Sequence, residues 1–102
     1  MNNQAQILDI AMNLNRIGNW AADGFSAREK RISLFLDQTS KYLKSLNPSF
    51  FSDPFKKTFN QFLEEYSHLE KSGKEGPKDE LLWAEKMMTW GNILTHRAKL
   101  IK

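Results

Sequence analysis

The chain has no cysteine, and only three prolines and five glycines in 102 residues. Without thiols there can be no disulfide, no cysteine-based zinc site and no thiol nucleophile. No apolar run approaches the roughly 20 residues that a membrane-spanning helix needs. The opening MNNQAQILDIAMNL lacks a basic leader and spaces its apolar residues, so it does not read as a secretory signal. Alternating apolar and polar residues are missing too, and β-branched residues are few, which argues against strands. Only two histidines are present, and no glycine-rich phosphate loop: GKEGPK has neither the spacing nor the preceding strand of one.

Apolar residues make up 40% of the chain and charged residues 26%, the proportions of a globular protein. The length suits one domain, 1–102, with a modest core. Fifteen Lys and Arg face twelve Asp and Glu, a net charge of +3, too slight by itself to indicate nucleic acid.

Gly24, Asn47-Pro48 and SGKEGPKDE divide the chain into four segments of helical periodicity. In 4–22, Ile7, Ile10, Ala11, Leu14, Ile17, Gly18 and Ala21 share a face, with small residues where a neighbour could come close. In 26–46, Ser26-Ala27-Arg28-Glu29 has the pattern of a capping box, and Ile32, Phe35, Leu36, Thr39, Tyr42, Leu43 and Leu46 form a stripe. In 53–72, Asp53 is the expected N-cap and Gly73 the expected end, around Phe55, Phe59, Phe62, Leu63, Tyr66 and Leu69. Phe50 and Phe51 read as a staple on the start of that helix. Pro77 is expected to open the fourth helix, 77–100. Four helices joined by short loops predict an all-α, antiparallel, up-down-up-down four-helix bundle.

The fourth segment carries more apolar residues than one packed face needs. Leu81, Ala84, Met87, Met88, Gly91, Leu94, Ala98 and Ile101 cover a broad face, with Trp83 and Trp90 at its margin. Leu82, Ile93 and Leu100 form a second stripe beyond Lys86 and Arg97. Either the packed face is wide, with those two cations lying flat over it, or the second stripe meets another chain, most simply a second copy. On the second reading Leu82, Ile93, Leu100, Trp83 and Trp90 are the expected partner-binding residues.

Chemistry is harder to find. Glu65 and His68 match the Glu-x-x-His element of carboxylate-bridged metal bundles, but the second copy and the further inward Glu residues are missing. Both also lie off the Phe-rich face, so a solvated surface is the simpler reading. His96 stands beside Arg97 near a helix C-terminus, where cations are favourable without catalysis. No catalytic residue, metal or cofactor is expected.

An antiparallel bundle sorts the charges by end. At the end bearing the 46–53 turn and both chain termini, Lys41, Lys44, Lys56, Lys57, Arg97, Lys99 and Lys102 outnumber Asp9, Asp37 and Asp53. These cations, Lys102 apart, are the candidate anion-binding set, for an acidic protein surface, nucleic acid or anionic lipid headgroups. The expectation is a non-enzymatic, cytoplasmic interaction module (an adaptor or regulatory subunit) that self-associates through the fourth helix. The alternatives are a nucleic-acid-associated protein using the basic pole, and a bundle holding an apolar ligand near Trp83 and Trp90.

Overall fold

The computed structural model describes residues 3–101, with Phe50 represented by its backbone alone. Four helices follow one another: α1 (Asn3–Gly24), α2 (Glu29–Ser45), α3 (Asp53–Glu75) and α4 (Glu80–Arg97), and no strand occurs among the described residues. Single 3-10 turns cover Ser26–Arg28, Pro48–Phe50 and Ala98–Leu100.

Cross-helix bonds fix the order. Asn13 donates to Gln38 (3.0 Å), and Gln6 to Ser45, pairing α1 with an antiparallel α2. Tyr66 donates to the Leu36 carbonyl (3.0 Å) and Lys74 pairs with Asp37 (2.6 Å), placing α3 against α2. The Trp83 indole donates to the Leu69 carbonyl (2.9 Å) and Arg97 to Thr58 (3.0 Å), placing α4 against α3. Gln4 donates to the Ala98 carbonyl (3.3 Å), closing α4 onto α1. The result is the antiparallel up-down-up-down four-helix bundle, 39 × 21 × 18 Å.

Its closest helix pair is α1 with α4. Small residues permit this. A Cβ at Gly18 would stand 2.9 Å from the Ala84 carbonyl oxygen, and one at Gly91 3.0 Å from that of Ala11. Neither position can carry a side chain without spreading the pair. The expected α1 face is buried throughout. Around it lie Phe55, Phe59 and Phe62, fully buried, with Met87 and Leu94. Phe51 staples the start of α3 edge-on to Phe55 (4.9 Å) and Phe59 (5.0 Å), whereas the Phe50 side chain lies outside the described residues. One polar group enters the core from α1: Asn13, satisfied by Gln38 and by Thr39, whose own hydroxyl donates to the Phe35 carbonyl.

Several boundaries differ from those expected. Ser26 does not cap α2; residues 26–28 form a 3-10 turn with no side-chain cap, because Phe25 is drawn into the core edge-on to Trp83 (5.5 Å) and tightens the turn. At α3 the N-cap is Ser52 rather than Asp53. Gly73 does not end α3. It continues the helix because Trp83 packs where its side chain would be, 2.6 Å from a hypothetical Cβ. Gly76, with φ of 94°, makes the actual break. Pro77 lies outside α4, which starts at Glu80 with Asp79 accepting from the Leu82 N–H (3.0 Å), and regular helix ends at Arg97. Leu81, expected in the packed face, is 64% exposed, and Leu63 lies at the edge of exposure. Among the described residues no helix is long and apolar enough to cross a membrane.

Candidate functional site

The outer groove between α3 and α4 is built from what the fourth helix leaves over. Where α3 runs into its connector, an open depression of about 410 Å³ is lined by His68, Leu69, Pro77, Leu82, Trp83 and Lys86, among others. A second of about 170 Å³ continues along α4 past Glu85, Thr89 and Trp90. Glu65, Leu82 and Lys86 line both, so Leu82 stands at the centre of one continuous groove. Its side chain is held outward by geometry: the Asp79 cap fixes the first turn of α4, and Trp83 takes the inward direction. Leu82 is left 46% exposed.

The tryptophans lie deeper than expected. Trp83 is 4% exposed and Trp90 8%, so both belong to the core, with only an edge in the groove floor. The physical reason is polar as well as apolar. The Trp83 N–H finds the Leu69 carbonyl inside the bundle, and Trp90 packs on Phe62 at 5.5 Å. The expected stripe of Leu82, Ile93 and Leu100 also divides. Ile93 is half-buried against the core, and Leu100, 41% exposed, stands in the 3-10 turn beyond α4. Eighteen residues separate Leu82 from Leu100, about 27 Å at helical rise, so they occupy opposite ends of the bundle.

The groove rim carries both signs of charge: Glu65, Glu75 and Glu85 against Lys71, Lys78 and Lys86. Asp79 is engaged as the α4 cap. Glu65 and His68 are exposed on this rim, and among the described residues no group of three His, Cys, Asp or Glu is placed to hold a metal ion.

The fold spreads the expected anion-binding set from a side groove to one end of the bundle, with Lys44 between the two. Lys41 and Lys44 line a groove of about 530 Å³ between α2 and α3, together with Leu43, Leu63 and Glu70. Here Ser40 donates to Glu70, and Lys74 holds Asp37, so the acids of this groove are engaged. Its floor is Tyr66, whose phenol burial pushes above its ordinary range, helped by the Glu70 charge and opposed by the Ser40 hydrogen bond. Lys56, Lys57, Arg97 and Lys99 gather instead where α3 begins and α4 ends, and Lys102 lies outside the described residues.

Two features had no usable signal in the sequence. Asn13 reads as one more polar residue until its partners on α2 are known, and Phe25 falls between segments. Comparison of the chain with protein-family models, with curated proteins and with solved structures found no match.

Proposed function

We propose that the protein is a non-enzymatic helical interaction module, an adaptor or regulatory subunit acting in the cytosol, that self-associates through the α3/α4 groove. The observation that carries this reading is the position of Leu82. A large aliphatic side chain, 46% exposed, stands mid-groove over an apolar floor of Leu69, Trp83 and Trp90. Exposed apolar surface rimmed by polar groups is the usual form of a protein contact.

A second copy is the partner that fits. A two-fold interface uses one patch twice, so that patch must complement itself. Four carboxylates (Glu65, Glu75, Asp79 and Glu85) and three ammonium groups around the groove satisfy that requirement: a two-fold rotation can set the carboxylates of one copy against the cations of the other. A partner of strong single-sign charge would find little bias here.

Multi-angle light scattering tests the reading. The expected mass is twice the 11.9 kDa of one chain. Leu82→Lys is expected to return the single-chain mass with an unchanged circular dichroism spectrum, since the side chain is outward. A single-chain mass for the unmodified protein at the highest concentration it tolerates would overturn the proposal.

A further inference from the structure

The end of the bundle opposite the α3–α4 connector has a charge imbalance that the groove does not explain. In residues 3–9, 46–60 and 94–101, which build this end, the cations are Lys56, Lys57, Arg97 and Lys99, and the carboxylates are Asp9 and Asp53. Lys44 follows on the last turn of α2. The other end is balanced, with Arg28 tied to Asp23 (2.7 Å). Among the described residues none of Lys56, Lys57 and Lys99 forms an ion pair, and the Arg97 guanidinium is bonded only to the Thr58 hydroxyl.

An apolar group stands among these charges. The last 3-10 turn, Ala98–Leu100, is strapped to the start of α3 by the Ser52 hydroxyl, which donates to the Leu100 carbonyl (3.1 Å). Ala98 and Ile101 are thereby buried, and Leu100 is turned outward, 41% exposed beside Lys99. The strap fixes an aliphatic tip in the same turn as a free ammonium group.

We infer that this end docks reversibly on an anionic lipid bilayer surface, with the lysines over the headgroups and Leu100 entering the boundary beneath them. A bilayer offers both things this end presents a partner for: a diffuse negative surface and an apolar layer just below it. Ammonium groups on long, unpaired side chains suit a diffuse charge better than a fixed fork geometry does. Nucleic acid fits less well. Among the described side chains of this end, Phe51 and Phe55 are buried and give no stacking platform, and the one guanidinium is already engaged. With one apolar residue and a few charges, the attachment is weak and salt-sensitive.

Co-sedimentation tests this with vesicles of phosphatidylcholine alone and of phosphatidylcholine with phosphatidylserine at about seven parts to three, in about 0.05 M and about 0.5 M salt. Binding is expected only to the phosphatidylserine vesicles, and only at low salt. The double variant K57E/K99E is expected to weaken it by roughly 30-fold or more, two cations each contributing about five-fold near an anionic surface. Leu100→Ser is expected to weaken it while leaving the salt dependence intact. All three positions are exposed, so circular dichroism melting should match the unmodified protein. The inference is overturned if phosphatidylserine vesicles are not bound at low salt. It is overturned equally if K57E/K99E binds them as well as the unmodified protein does, or if a DNA or RNA duplex is retained at low salt while the vesicles are not.

Discussion

Gly18 lies against the backbone of Ala84, so close that a Cβ on Gly18 would stand 2.9 Å from the Ala84 carbonyl oxygen. A carbonyl inside a helix cannot move aside as a side-chain tip can. Gly18→Ala is therefore expected to spread α1 from α4. Overpacking of this kind costs about 1–3 kcal/mol, offset by up to about 1 kcal/mol of helix propensity. The net loss should lower the melting temperature by several degrees, and a rise on calorimetry would contradict the close approach.

How far this arrangement could be read beforehand depends on the residue. The α1 stripe was legible in full, because Ile7, Ile10, Leu14 and Ile17 mark a face by period alone. The polar flanks and loop signals placed the other helices within a few residues. What failed was local chemistry overruled by packing. Ser26 has the right neighbour for a cap, yet Phe25 pulls the turn inward. Gly73 looks like a terminus, yet its missing side chain makes room for Trp83. For the site, the sequence marked Leu82 as surplus to the core, but period cannot say how deep a margin residue sinks. The depth of Trp83 depends on a carbonyl at Leu69, fourteen residues earlier. The spread of the cations likewise depends on which helix sides face each other.

The three tryptophans should separate by accessibility. Trp83 and Trp90 are buried, whereas Trp20 is half-buried at the surface, edge-on to Phe35 (4.8 Å) with Arg31 over its ring at 5.2 Å. Acrylamide is expected to quench mainly the Trp20 emission, and Trp20→Phe should remove the accessible fraction. Equal quenching of all three would place Trp83 and Trp90 on the surface instead.

Tyr66 predicts the alkaline limb of stability. Burial raises its phenol above the ordinary 10.0. Below that value the group is neutral in folded and unfolded chains alike, and its contribution is fully present. As pH rises past it, the unfolded chain ionises and the folded one resists, so stability falls with increasing pH. Urea midpoints at about pH 8 and about pH 11 should show this drop. Tyr66→Phe should shrink it, at a cost of about 1 kcal/mol at the lower pH for the lost bond to Leu36. An unchanged slope in the variant would remove Tyr66 as its source.

Asp79 caps α4 and sets the first turn that presents Leu82. Asp79→Ala is expected to cost about 1 kcal/mol, roughly 4–8 °C of melting temperature in a protein of this size. If self-association runs through Leu82, the same variant should also weaken it, because a frayed first turn no longer holds that leucine over the groove. Asp79→Asn, which keeps the cap oxygen, should restore both. A variant that melts early but associates normally would separate the cap from the interface.

The closest pairing in the bundle joins its first helix to its last, and that has a consequence on the ribosome. When α1 emerges, the helix that covers it is still 56 residues from starting, counting from Gly24 to Glu80. At bacterial-to-eukaryotic elongation speeds that is a wait of about 3–11 s. During it the buried row of α1 has only α2, and then α3, to lean on. The nascent chain must pass through a three-helix stage with one flank open, when chaperone capture or mispairing with a neighbouring nascent chain competes with completion of the bundle.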